Sequence, residues 1–168
     1  MNRPQPEEYA PVYSNYIDSV TDNVIDQLAR QARELPAFLE SIPDEKAAHA
    51  YAPGKWTVKE LLGHLIDTER IMTYRALCIA RGETISLPGY DENAYVENSG
   101  YKSQDFRKLI AEFRVLREAN LYLFRSFGEE ELSKTGTANN YNISVRALLF
   151  IIAGHINHHR KIITERYL

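Results

Sequence analysis

Four long stretches of this chain repeat apolar residues every three or four positions, and none keeps the two-residue rhythm of a strand. The first runs from about Asp22 to Ile42, with Val24, Leu28, Ala32, Leu35, Leu39 and Ile42 on one side. Thr21 or Asp22 can cap its start, and Pro36 inside it predicts a kink or a break. The second follows Pro53-Gly54. Thr57 and Glu60 have the spacing of a capping box, Val58, Leu61, Leu62, Leu65, Ile66 and Met72 form the stripe, and Gly82 marks the stop. The third spans Ser103 to Phe127, closed by Gly128. The fourth starts near Ser144 and runs almost to Leu168. Four stripes of similar length predict an all-α protein, a four-helix bundle, in one domain over residues 1–168. Residues 1–20 read as an N-terminal strap, with a strap or short helix over Tyr9 to Val20. The connection from Glu83 to Lys102, between the second and third helices, is long for a bundle.

Composition narrows the function classes. The net charge is -3 and no basic stripe is present, which argues against nucleic acid as a partner. The longest apolar run, Ala147 to Gly154, is too short to span a bilayer, and Pro and Glu stand where a signal peptide needs an apolar core. The single cysteine, Cys78, allows no internal disulfide, and its apolar neighbours read it as a small core side chain rather than a nucleophile. These features predict a cytoplasmic protein with neither membrane nor nucleic acid as a partner.

The histidines carry the chemistry. His155 and His159 are one helical turn apart in GHINHHRK, on the face shared by Leu148, Ile152 and Ile162. His64 sits in KELLGHLIDTER, at the edge of another stripe. An imidazole on an apolar face is costly to desolvate unless its nitrogens are satisfied. Three imidazoles from two helices could satisfy one another's cost by sharing a divalent cation and leaving a coordination position open. His158 is also close enough to His155 to compete for that place, and spacing does not choose between His158 and His159. His49, in an Ala-rich loop, reads as surface.

Glu60 and Asp67 flank His64 by a turn on either side. Glu60 reads as the cap. Asp67 could accept a hydrogen bond behind an imidazole or pair with Arg70 or Arg75. In the 83–102 connection Tyr90, Asp91 and Tyr95 are candidates to touch substrate, the alternative being a strap that only covers the bundle end. Arg75 and Arg160 could hold an anionic substrate or be ordinary helix-face charges. The second and fourth helices echo each other: Thr57-Val-Lys-Glu-Leu-Leu and Ser144-Val-Arg-Ala-Leu-Leu, each followed by Gly-His.

PGKWTVKELLGHLIDTERIMTYRAL, the LPGYDENAY loop and the closing SVRALLFIIAGHINHHRK resemble the DinB/YfiT-like family over nearly the whole chain. The resemblance implies an antiparallel-type four-helix bundle with a long crossover. It implies a divalent metal, zinc or nickel, on His64, His155 and His159, and so favours His159 over His158. It implies a thiol-dependent S-transferase using a low-molecular-weight thiol on small electrophiles. Metal-dependent hydrolysis at the same site, or a metal-binding stress protein without turnover, are the alternatives. It also implies a homodimer.

Overall fold

The computed structural model describes residues 1–21 and 23–168, so the cap expected at Asp22 lies outside the described residues. Helices α1 (Ser14–Asp18), α2 (Val24–Glu40) and α3 (Asp44–Ala47) come first, then α4 (Val58–Ala80) and α5 (Glu92–Ser99). Helices α6 (Phe106–Ser126) and α7 (Glu129–Ser133) lead into strands β1 (Thr135–Ala138) and β2 (Tyr141–Ser144), and α8 (Val145–Arg166) closes the chain. Helices α2, α4, α6 and α8 form the four-helix bundle.

Local chemistry sets the helix limits. At the start of α4, Glu60 N donates to Thr57 Oγ1 at 3.2 Å while Thr57 N donates to Glu60 Oε2 at 2.7 Å. At its end Gly82 takes φ +87°, and Gly82 N and Glu83 N donate back to the Ile79 and Cys78 carbonyls. Asn23, not Thr21, caps α2, accepting from Ile25 N at 3.0 Å. Asp105 starts α6 later than expected and Ser144 caps α8. Helix α2 runs through Pro36 unbroken to Glu40. Proline removes one backbone donor, but Leu35 and Leu39 on either side are fully buried, and their burial holds that turn in place.

The hairpin was not expected. Its strands are four residues each, too short for alternation to register, and Asn139-Asn140 form the turn with φ +51° and +65°. Both central residues are left-handed, as a tight hairpin turn requires. The 83–102 connection is likewise ordered: it contains α5 and a single turn over Tyr101–Ser103.

Cross-helix contacts fix the winding. Lys59 reaches the Gln104 carbonyl and Glu69 meets Arg117 and Asn120, so α4 and α6 run parallel. Gln31 bonds Ala153 and Asn157 while Glu34 meets Arg160, so α2 and α8 run parallel too. Leu28 faces Arg117 and Glu40 faces Arg114, which makes α2 and α6 antiparallel. Tyr167 bonds the Trp56 carbonyl, and Lys134, bonded to Val145, reaches Ala80, which makes α4 and α8 antiparallel. The order around the ring is α2-α6-α4-α8 and the directions are up, down, down, up in chain order. Joining parallel neighbours α4 and α6 demands a connection running the length of the bundle, which explains the long crossover.

The core falls into two apolar clusters. One holds Ile17, Leu28, Met72, Ile79, Phe124 and Leu148 through Ala153. The other holds Leu35, Leu39, Leu62, Ile66, Phe113, Ile156 and Ile163. Between them lies a buried polar layer to which each bundle helix contributes: Gln31, then His64, Thr68 and Glu69, then Arg117, then His155 and His159. Arg117 Nε and Nη2 donate to the two Glu69 carboxylate oxygens at 2.7 and 2.8 Å, and Nη1 reaches Gln31 Oε1 at 3.1 Å. Among the described residues no helix is long and apolar enough to cross a membrane.

Candidate metal centre

The sequence spaced His155 and His159 one turn apart on α8, and the antiparallel pairing of α4 brings His64 against them. All three are buried. His155 Nε2 lies 3.0 Å from His64 Nε2 and 2.9 Å from His159 Nε2, and the nitrogens of all three fall within 4.8 Å of one another. Burial pushes His64 down to about 4 and His159 down to about 3. Burial, then the neighbouring imidazoles, push His155 well below its ordinary value. All three rings are therefore neutral at pH 7 and present bare lone pairs.

Neutral rings cannot satisfy this arrangement by themselves. The imidazole Nε2 has one in-plane position, either an N–H or a lone pair. His155 Nε2 can take one N–H from His64 or His159 but not a good bond from both. A cation at the point where the three nitrogens converge satisfies all of them. Metal–imidazole bonds of about 2.0–2.1 Å place cis ligands roughly 3 Å apart, close to the spacings found. The donor set, three neutral imidazoles with no carboxylate or thiolate, fits a divalent ion of borderline softness.

The rings are held from outside. Trp56 packs on His64 with centroids 4.9 Å apart and Tyr16 meets His155 edge-on at 5.4 Å. Thr68 Oγ1 lies 3.5 Å from His64 Nδ1 and 2.7 Å from the Tyr90 hydroxyl. His159 Nδ1 is buried without a partner among the described residues.

Two cavities flank the cluster. One of about 310 Å³ exposes His64 and His155 and is walled by Tyr13, Tyr16, Thr68, Met72, Arg75 and Tyr90, with Glu92 at the rim. The other, about 230 Å³, reaches His159 past Trp56, Tyr51 and Tyr167. Burial keeps Tyr13, Tyr16 and Tyr90 above the ordinary phenol range, so their hydroxyls stay protonated donors.

The other sequence candidates separate clearly. Tyr90 reaches the larger cavity, whereas Tyr95 packs behind it, 48% exposed. Asp91 is the cap of α5, its Oδ1 accepting from Asn93 N and Ala94 N, so it is not free to hold a substrate. Asp67 does not stand behind His64; its carboxylate accepts from Tyr101 at 2.8 Å and pairs with Arg70. Glu60 is committed to its cap. His158 is exposed and outside the cluster, and His49 is at the surface. Cys78 is half-buried against the core. Arg160 pairs with Glu34 over Phe38, while Arg75 is buried at the cavity wall. Sequence reasoning missed Tyr13, Tyr16, Trp56 and Thr68. Thr68, Met72 and Arg75 do follow His64 at four-, four- and three-residue steps, which is one helical face.

The glycines that precede His64 and His155 have a function in packing. A Cβ on Gly154 would lie 2.0 Å from the Tyr16 carbonyl oxygen, and one on Gly63 would lie 2.0 Å from the Tyr101 ring. Each glycine lets a strap lie directly against the helix beside the cluster.

Comparison with known proteins agrees with this architecture. The model of the DinB superfamily matches residues 27–163. The chain is 25% identical over 154 residues to YfiT of Bacillus subtilis (strain 168), covering 88% of this chain and 86% of that protein. The solved structure of YfiT is described as a probable metal-dependent hydrolase with an unusual four-helix bundle topology. It superposes with a TM-score of 0.75 at 25% identity, over 94% of this chain and 91% of that one.

Proposed function

The chain belongs to the DinB superfamily, and from that premise we propose that it is a divalent-metal-dependent hydrolase acting on a small molecule in the larger cavity. One observation carries the reading: three neutral, buried Nε2 atoms converge where their own hydrogen bonding cannot satisfy them. The description of YfiT as a probable metal-dependent hydrolase supports it. His64, His155 and His159 would hold the ion. Zinc and nickel both suit three imidazoles. When bound, the ion supplies Lewis acidity, lowering the pKa of a water or thiol at the open position toward neutrality.

The chain's own groups do the rest. Trp56 and Tyr16 fix the imidazole planes. The Tyr90 hydroxyl, locked to Thr68, can donate to a substrate oxygen. Glu92 is the one carboxylate among the described lining residues and is exposed at the rim. A cavity of this size suits a small ligand rather than a polymer.

The test has two stages. Protein purified without added ions or a histidine-rich tag is assayed for metal by mass spectrometry. Wild type is expected to hold about one equivalent per chain and His155→Ala little, as a single site requires. Equal content in both removes the site. The loaded protein is then offered ester, amide and alkyl-halide substrates with and without a low-molecular-weight thiol. Product formed without thiol supports hydrolysis; product formed only with thiol replaces it by the S-transferase that the sequence resemblance implied.

A further inference from the structure

The wall of the larger cavity contains a buried cation. Arg75 is 3% exposed, yet among the described residues no carboxylate lies within ion-pairing distance of it. Its guanidinium has five N–H donors. Nη2 donates to the Pro88 carbonyl at 2.6 Å, Nη1 faces the weak acceptor Met72 Sδ at 3.6 Å, and the group rests over the Tyr90 ring, 6.0 Å from its centroid. Burying a charge is expensive unless something of opposite sign meets it. Elsewhere in this bundle that rule is obeyed: the equally buried Arg117 has Glu69 on both arms.

The neighbours of Arg75 also look outward into the cavity. Among the described residues neither the Tyr13 nor the Tyr16 hydroxyl has a hydrogen-bond partner, and both side chains line the same space. Glu92, the acidic group there, is exposed at the rim, where water screens it. His64, Thr68, Met72 and Arg75 lie on one face of α4, and the guanidinium leans back over Met72. That places the cation about 12 Å along the helix axis from the level of His64, at 1.5 Å per residue.

We propose that the cavity binds an elongated carboxylate-bearing ligand, its carboxylate on Arg75 and the tyrosine hydroxyls, its reactive end at the three histidines. The assignment rests on the metal-site reading for the reactive end. Arg75 is then a specificity determinant: it selects anions of the right length and holds them pointing at the cluster. An arginine fork matches a planar carboxylate in two parallel bonds, which a lysine does not reproduce.

The experiment uses the full chain loaded with cobalt(II), whose visible spectrum reports the ion's ligands. Cobalt uptake is measured first, by wild type and by His155→Ala; no uptake by wild type would overturn the metal reading and this proposal with it. Two probes follow, 8-mercaptooctanoate and the neutral 8-mercaptooctanol, in which the thiol only anchors one end to the ion. Wild type is expected to bind the acid at least about tenfold more tightly than the alcohol, a charge-assisted pair being worth that much. In Arg75→Met the ratio is expected to fall to about one, while the alcohol's affinity and the sulfur-to-cobalt absorption band stay as in wild type. Arg75→Lys is expected to keep part of the preference. A loaded wild type that shows no preference, or binds neither probe, overturns the proposal and leaves the metal site standing. So does an Arg75→Met protein that keeps the full ratio.

Discussion

Acid should unfold the ion-free protein through its own imidazoles. His64 is pushed down to about 4 and His159 to about 3 by burial, with neighbouring imidazoles adding to the shift at His159. In the unfolded chain both return to about 6.5. Below that value the unfolded state holds protons that the folded state refuses. Stability is therefore whole above pH 6.5 and is lost as pH falls through the window toward 4 for His64 and 3 for His159. Each imidazole contributes about 1.4 kcal/mol per pH unit in that window. Going from pH 6.5 to 4.5 removes roughly 5 kcal/mol through these two alone, a large part of the ~5–15 kcal/mol that holds a domain folded. His155, lowered in the same direction, adds to the loss. The assay is urea denaturation of chelator-treated protein across this range, followed by helical circular dichroism. His159→Leu replaces a titrating ring by a side chain of similar bulk, and its acid slope should be shallower by about 1.4 kcal/mol per unit. Identical slopes in wild type and variant would refute the claim that these rings are buried uncharged.

Three further outcomes follow from the geometry. Adding the ion at a hundredfold over its dissociation constant should raise stability at neutral pH by about 2.7 kcal/mol, measured by denaturation with and without chelator, and His155→Ala should abolish that difference. Gly154→Ala forces a Cβ to 2.0 Å from the Tyr16 carbonyl oxygen; it should cost about 1–3 kcal/mol in urea unfolding and raise hydrogen exchange in α1. Glu69→Leu leaves the fully buried Arg117 guanidinium unmatched and should cost about 3–5 kcal/mol, whereas Glu69→Leu combined with Arg117→Leu should recover most of it in thermal denaturation.

Helix existence was legible because it depends on neighbours in sequence. The Thr57–Glu60 box, the Gly82 stop and the Ser144 start each involve residues within one turn. The two Gly-His pairs were visible as an echo, but their meaning was not, since it lies in Tyr101 and Tyr16 arriving from straps far along the chain. The hairpin escaped because four-residue strands carry almost no periodicity. Its Asn-Asn turn was the one local signal, as both residues tolerate the left-handed region. The convergence of His64 with His155 and His159 could be proposed from helix faces but not placed, because spacing says nothing of which helices become neighbours. Asp91 and Asp67 went the same way: local backbone and a distant tyrosine claimed carboxylates that composition alone made look available.

The Arg117 clasp answers that question of neighbours. It ties α6 to α4 through Glu69 and to α2 through Gln31, whose amide goes on to α8. Apolar stripes would tolerate these four rods in several orders, mirror-wound ones included. Any order that parted α6 from α4 would strand a guanidinium in hydrocarbon, and any that parted it from α2 would break the Gln31 bridge; with α6 held between those two, a ring of four leaves α8 beside α4.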